Sequence, residues 1–429
     1  MSIPAVMERK SPRVLLVMEQ CNPEWASVPL VAYNFFREID KLADVTLVTH
    51  DRNREAMQRK GHKNVVYMAE GALTRAYYKL VGPIALKVWP LFHTLTYPIY
   101  AEFNHQVFKQ FNAEVLAGDY DLVHVMTPMM PRYPVKLIRA CQKVPFLLGP
   151  VNGGVPFPEG FQAIARKEHS YLNFLRDIGR LLPGYTETYR DAAQILAGST
   201  YTRNALKQQF SLPDERISLF YENGIEATFL EPVAKSSVAD DLHLLFVGRL
   251  VPYKGADMAI DALGQLPTQV QQKVSLTIVG DGSERQSLEQ QVARLQLTQQ
   301  VKFTGWVKPG ETLNYYRQAD VFCFPSVREF GGAVVMEAMA CGLPCIVVDN
   351  GGIGEYVTEA TGFKLAPKSR EFVVEQLAER ITQLVSDPEL RSQMSTAAIA
   401  HAQQFEWGHK AQQILALYRQ LAGQEVLTA

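Results

Sequence analysis

Short apolar runs alternate with amphipathic, helix-length segments along the whole chain, and this alternation constrains the fold more than any other feature. A short continuous apolar run bounded by turn residues reads as a strand buried on both faces. Strands of that kind, each followed by a helix, predict βα units and a parallel sheet. The pattern occurs twice. The first half has predicted strands at Arg13–Met18, Val45–Thr49, Leu122–Val125, Phe146–Gly149 and Ile195–Ala197. The second has Leu242–Val247, Val274–Val279, Val301–Phe303, Val321–Phe324 and Pro344–Val348. At 429 residues the chain is longer than one core normally serves, so two α/β domains are expected, over residues 1–230 and 241–407. Between them EPVAKSSVADD is polar and aperiodic and reads as the linker, Glu231 to Asp241. The segment FEWGHKAQQILALYRQL places Ile414, Leu415, Leu417 and Tyr418 on one apolar face, which predicts a helix over 408–429 docked on a domain surface.

Composition narrows the partners. A formal net charge of −1 offers no global attraction for a polyanion, which argues against nucleic acid. Five cysteines, at 21, 141, 323, 341 and 345, fit neither a disulfide framework nor a CxxC metal site. A reduced, cytoplasmic setting is expected, with Cys341 and Cys345 as packed thiols. The opening MSIPAVMERKSPR lacks an apolar core of signal-peptide length and reads as a frayed lead-in. Val81 to Phe103 is apolar, but Pro83, Pro90, Pro98, Lys87 and His93 spoil it as a spanning helix.

The chemistry concentrates in REFGGAVVMEAMACGLP, where Glu329 and Glu337 flank the glycine pair Gly331 and Gly332. The glycines fall at a strand-to-helix junction, where free backbone N–H groups point outward and a phosphate can approach closely. Glu337, one turn into the helix, suits a ribose diol, and Glu329 in the loop suits a second polyol. In VGRLVPYKG, Gly248, Arg249 and Lys254 follow another strand, at the sheet edge where open α/β folds bind ligands. Arg249 can fork onto phosphate oxygens and Lys254 adds a point charge; standing alone, they would read as solvated surface cations. IVGDG supplies Asp281 and Gly282, which also fit an ordinary tight turn. FTGWV supplies Trp306 and Val307 for a base edge, with Trp306 equally suited to packing. DNGGIGE adds one more glycine loop at that edge. Neither GxGxxG between strand and helix nor GxxxxGK[ST] is present, which disfavours a dinucleotide oxidoreductase and a P-loop hydrolase.

VGRLVPYKG, IVGDG, FTGWV and REFGGAVVMEAMACGLPCIVVDNGGIGEYV, in this order and spacing, resemble the retaining family-four glycosyltransferases of the GT-B fold. AGSTYTRNAL, YENGIE and FEWGHKAQQIL extend the resemblance more weakly. It implies two facing Rossmann-like domains with parallel sheets and a terminal helix crossing back to the first. It further implies that Arg249 and Lys254 bind the donor diphosphate, Glu337 the ribose and Glu329 the donor sugar. Backbone at Gly331, Gly332 and Ala333 would complete the site. Arg249, Lys254 and Glu329 are thus the expected catalytic residues. Many members follow the first glutamate with GFG; here the residues after Glu329 are FGG, so Phe330 replaces a glycine.

On the acceptor side DLVHVMTP places His124 and Met126 on one strand face, where many relatives carry histidine twice. His124 reads as a cleft residue or, more readily, as a satisfied core histidine. LLGPVNGGVPFP offers Asn152 and Gly153 as acceptor-side candidates or as a bland turn. EQCNPEWASVP lacks the glycine pair many relatives place near the phosphate, leaving backbone near Ser27 as a substitute. Tyr77 to Phe111 is dense in aromatics, with Trp89, Phe92, Tyr97, Tyr100, Phe103 and Phe108 among Lys79, Lys87, His93 and Lys109. It reads as helices packed on their own domain or as a peripheral membrane contact.

The expected activity is transfer of a hexosyl group, with retention, from a UDP-, GDP- or ADP-sugar to a hydroxyl of a glycan, lipid-linked or small-molecule acceptor. No cofactor and no metal is expected, because Arg and Lys can take the place of a divalent cation at the diphosphate. The alternatives are a nucleotide-sugar epimerase or hydrolase of the same fold, and a non-catalytic nucleotide-sugar-binding scaffold.

Overall fold

The computed structural model describes residues 11–85, 89–168, 170–231 and 241–423. Seven strands form the first sheet: β1 (Arg13–Met18), β2 (Asp44–His50), β3 (Val65–Met68), β4 (Leu122–Thr127), β5 (Phe146–Val151), β6 (Gln194–Ala197) and β7 (Ile217–Leu219). Their order is β3-β2-β1-β4-β5-β6-β7. Six form the second: β8 (Leu242–Val247), β9 (Val274–Val279), β10 (Val301–Gly305), β11 (Val321–Phe324), β12 (Cys345–Val348) and β13 (Gly362–Leu365). Their order is β10-β9-β8-β11-β12-β13. All pairings between these strands are parallel. These are two Rossmann-like α/β sheets. The linker read at 231–241 and the lead-in lie largely outside the described residues.

The ten predicted strands are present, with ends shifted by at most two residues. The three that the periodicity missed, β3, β7 and β13, are all sheet edges. An edge strand is covered less completely, and these are short and only partly buried, so they carry no continuous apolar run. Central β11 and β12 are buried at every position, with the rings of Phe322 and Phe324 stacked at 5.7 Å.

The strand orders put the topological switch point between β1 and β4 in the first sheet and between β8 and β11 in the second. Adjacent strands there send their connections to opposite faces, which opens a crevice at their carboxyl ends. The Arg249–Lys254 loop leaves β8 and the Glu329 loop leaves β11, so both border the second crevice. Sheet topology alone thus brings together residues about eighty positions apart in sequence.

The helix Trp407–Leu421 lies on the first sheet's side of the molecule. Trp407, Ala411, Ile414 and Tyr418 are buried among residues of β1, β4 and the helix Val28–Ile39. Trp407 meets Phe35 edge-on at 4.9 Å. Leu415 and Leu417 are only half-buried, so the apolar stripe is rotated toward Ala411.

Of the segment 72–117, Ala72–Ala85 and Trp89–Ala117 are helices, and 86–88 lie outside the described residues. From Ile99 onward the second helix is core: Tyr100, Phe103, Val107 and Phe111 are buried, and Tyr100 stacks on Tyr133 at 4.9 Å. The aromatic density of that part is therefore packing, as the blander reading held. The first helix differs, with Leu73 at 88% and Leu80 at 72% exposure. No helix among the described residues is long and apolar enough to cross a membrane.

Candidate functional site

Lys254 ends a short 3-10 turn, and Glu329 lies in the loop after β11. Their side chains meet as an ion pair, Nζ to Oε1 at 2.5 Å, each only 12% exposed. Nζ also stands 5.1 Å from the Phe324 ring centre and 5.4 Å from that of Tyr253. A pair this shielded is weakly screened and holds both side chains in one geometry. Glu329 is placed through its backbone too, its carbonyl accepting from Gly352 N–H at 3.2 Å. Gly351, at φ 86°, packs so tightly on that carbonyl that a Cβ would collide with it.

Arg249 is exposed at the mouth of the crevice and donates from Nη2 to the Tyr253 hydroxyl at 2.6 Å. Burial, joined by the charge of Glu329, pushes the Tyr253 phenol up to about 12, so it remains a neutral partner. The helix Ala333–Ala340 begins just after Gly331 and Gly332, and its N-terminal amides face the same loop cluster. Glu337, in that helix, accepts at Oε2 from the buried Tyr316 hydroxyl at 2.9 Å. Burial raises the Glu337 pKa and the Tyr316 bond opposes the rise.

The remaining loops of this edge are less committed. Asp281 accepts the Gly282 amide at 2.7 Å, a tight-turn bond. Gly248 is tied through its own N–H to the Val279 carbonyl at 3.0 Å. Trp306 is 70% exposed, so ordinary packing does not account for it, and Val307 beside it is half-buried. Among the described residues, no group of three or more His, Cys, Asp and Glu could hold a metal ion. All five cysteines are free thiols, with Cys345 buried and Cys341 half-buried.

On the first sheet the candidates separate. His124 is fully buried; Nδ1 meets the Tyr418 hydroxyl and Nε2 the Gly149 carbonyl, both at 2.6 Å. Burial holds its pKa down to about 4. Both ring nitrogens are used, so His124 is a core residue pinning the terminal helix, and its cleft reading is corrected. Asn152 is also buried and wholly engaged in internal hydrogen bonds, so it cannot reach an acceptor as the alternative reading required. Gly153 borders a cavity of about 80 Å³, lined also by Met130, Arg132, Tyr201 and Thr202. Ser27 takes φ 70° at the start of the Val28–Ile39 helix.

Two carboxyl groups escaped the sequence reading. Glu19, just past β1, and Glu222, in YENGIE, are each pushed up to about 7 by burial. Arg52 opposes the shift at Glu19, and an Asn152 hydrogen bond is among the opposing effects at Glu222. Both lie in loop segments that the sequence offers, EQCNPEWASVP and YENGIE, but nothing in either segment marks the carboxyl group as buried, and that burial arises only when distant loops close over them.

Comparison with known proteins agrees with this architecture. The family described as Glycosyltransferase Family 4 matches residues 31–228, and Glycosyl transferases group 1 matches residues 231–401. D-inositol 3-phosphate glycosyltransferase of Kribbella flavida is 32% identical over 189 residues, covering 42% of this chain and 44% of that protein. The Acidothermus cellulolyticus protein of the same name is 28% identical over 283 residues, 62% of each chain. A GDP-mannose-dependent monoacylated alpha-(1-6)-phosphatidylinositol monomannoside mannosyltransferase of Corynebacterium glutamicum is 34% identical, covering 37% of this chain and 42% of that one. The matches thus span from under half to under two thirds of these curated relatives. Among solved structures, HepE of Anabaena in complex with UDP superposes with a TM-score of 0.61 at 19% identity, covering 94% of this chain and 98% of that one. WaaG, a glycosyltransferase involved in lipopolysaccharide biosynthesis, gives 0.58 at 16% identity, covering 94% and 99%. With two adjoining family matches over both halves and two Rossmann-like sheets in the GT-B arrangement, the chain belongs to the family-four glycosyltransferases.

Proposed function

We propose that this chain transfers a hexosyl group from a nucleoside-diphosphate sugar to an acceptor hydroxyl, with retention at the anomeric carbon. The observation that carries the reading is the convergence of Lys254, Glu329, Arg249, Glu337 and the Gly331–Gly332 helix start around one topological switch point. Bond cleavage leaves a diphosphate carrying new negative charge. Lys254, Arg249 and the helix amides stabilise that charge without a divalent cation. Glu337 already holds the Tyr316 hydroxyl at Oε2 and offers Oε1 to a ribose diol. Glu329, neutralised by Lys254, binds hydroxyls of the transferred sugar and does not serve as general base. The acceptor proton passes to the departing diphosphate on the same face of the sugar, which accounts for retention.

The similar HepE structures, in complex with UDP and with UDP-glucose, support a nucleotide-sugar donor. Curated relatives that act on inositol phosphate or on a mannosylated lipid support a polyol acceptor. A thermal-shift panel of UDP-, GDP- and ADP-sugars, followed by mass spectrometry of products, tests the reading, because a tight donor stabilises the fold. No stabilisation and no product from any donor would defeat it. Nucleotide release that needs no acceptor would favour hydrolysis instead.

Glu337→Ala is expected to weaken nucleoside-diphosphate affinity about tenfold or more, the worth of charged hydrogen bonds, with kcat at saturating donor within about threefold. Calorimetric titration beside saturation kinetics reads both. An unchanged Kd would remove Glu337 from the site.

The exposed Leu73 and Leu80, with Arg75 and Lys79 on the same helix, further support peripheral contact with an anionic bilayer. Liposomes rich in phosphatidylglycerol are expected to carry the protein upward in a low-salt gradient, and Leu73→Glu with Leu80→Glu to abolish this. Flotation of neither protein, or of both equally, would sink the membrane reading.

A further inference from the structure

Between the two glutamates of the second crevice, the Phe330–Gly331 peptide is gripped from the opposite half of the molecule. Asn152, in the loop after β5 and 4% exposed, donates from Nδ2 to the Phe330 carbonyl at 2.8 Å. The same amide donates to Oε1 and Oε2 of Glu222, both at 2.9 Å. Its Oδ1 accepts from Ser199 Oγ at 2.8 Å and Thr202 Oγ1 at 2.9 Å. A carboxamide has two donor hydrogens and one acceptor oxygen, and here every one is used, so its orientation is determined. Glu222 and the Asn223 amide press against Gly331 so closely that a Cβ on Gly331 would strike both. A side chain there would force the Glu222 and Asn223 side chains, or the loop itself, to shift.

Phe330 itself adds a second hold. The Arg328 guanidinium lies over the Phe330 ring at 5.1 Å and the Phe157 ring at 4.7 Å, and its Nε donates to the Val155 carbonyl at 2.7 Å. Behind Glu222, Lys410 of the terminal helix donates to the Tyr221 carbonyl at 2.6 Å and stands over Phe220 at 4.2 Å. The contacts therefore run from the terminal helix through the Tyr221–Glu222 segment and Asn152 to the peptide that follows Glu329.

We propose that Asn152 and Glu222 are positioning residues for sugar transfer: from the acceptor half they hold the Phe330–Gly331 peptide so that Glu329 and the glycine amides address the donor. This rests on the reading of the second crevice as the donor pocket. The residue replacing the family's glycine is then part of a clamp, in which its carbonyl meets Asn152 and its ring meets Arg328. Asn152 and Glu222 need touch no substrate, since a displacement of about 1 Å in a catalytic loop costs up to about a hundredfold in rate.

Asn152→Asp places a carboxylate against Glu222 and against the Phe330 carbonyl while preserving shape. We expect kcat per folded molecule to fall about thirtyfold. Affinity for the nucleoside diphosphate that best stabilises the wild type should stay within about threefold, because Arg249 and Glu337 are undisturbed. Glu222→Ala is expected to lose about tenfold in kcat, whereas Glu222→Gln, which keeps an acceptor oxygen for Asn152, retains at least about a third. The Glu222 pair carries the test if Asn152→Asp does not fold. Unchanged kcat per folded molecule, a matching fall in nucleotide affinity, or equal losses in Glu222→Gln and Glu222→Ala would overturn the proposal. A wild type that binds no nucleotide and makes no product would instead refute the donor pocket, and the proposal would fall with it.

Discussion

Lys254→Ala is expected to lower turnover about a thousandfold while donor affinity changes by only a few fold. Lys254 stands 2.5 Å from Glu329 and is mostly shielded from water, so its charge acts in a medium of lower dielectric than bulk. The ground-state donor already spreads its charge over solvated phosphates. The leaving diphosphate gains a further charge at the bridging oxygen, and a fixed ammonium is worth most there. Removing a preorganised stabiliser of developing charge costs on the order of 3 to 4 kcal/mol in other enzymes. The substitution also strips Glu329 of its counter-charge, which would loosen the hold on the sugar proposed for it. Lys254→Arg is expected to recover little, because a planar fork cannot occupy the place of a compact ammonium between the Phe324 and Tyr253 rings. Single-turnover kinetics beside nucleotide titration separate the two effects. Equal losses in kcat and affinity would assign Lys254 to binding alone.

The second large effect concerns stability in acid. Burial holds His124 down to about 4, against an ordinary value of 6.5. Between those values the unfolded chain takes up a proton that the folded chain refuses, so falling pH favours unfolding. The contribution is fully present above pH 6.5 and is lost as pH falls toward 4, by about 3 kcal/mol in all. Glu19 and Glu222 act in the opposite sense. Each is raised from 4.5 to about 7, so over that window the folded chain keeps protons that the unfolded chain releases, and acid favours folding. The whole-protein pH profile mixes these signs. A difference measurement removes the mixture: His124→Gln, whose amide can still donate to Gly149 and accept from Tyr418, cancels the two glutamates. Denaturant unfolding from pH 7 to 4 should show wild type losing stability relative to the variant. Parallel profiles would mean that His124 titrates normally.

The two sheets were legible because their central strands are buried on both faces and so must be written in continuous apolar residues. The edge strands β3, β7 and β13 were not, since a partly covered strand needs no such run. The glycine loops after β8 and β11 were likewise legible as loops that meet at one sheet edge, because each follows a strand written in continuous apolar residues. His124 and Asn152 show where this reasoning weakens. Polar residues within or just after strands look alike in sequence whether they face a ligand or a buried partner. Only the Tyr418 hydroxyl, 294 positions away, and Glu222, 70 positions away, tell the two apart.

By itself the sequence determined the strand-and-helix alternation, the division into two halves and the residues that gather at the second sheet's carboxyl edge. Each of these rests on local patterning, periodicity within one segment or residue types within one loop. Tertiary structure alone decided that Lys254 pairs with Glu329, that His124 belongs to the core, and that Phe330 is held from the other half by Asn152 and Glu222. Those outcomes depend on which distant groups meet and how far water is excluded from them. Burial and long-range hydrogen bonding are properties of the assembled fold, and no single stretch of chain encodes them.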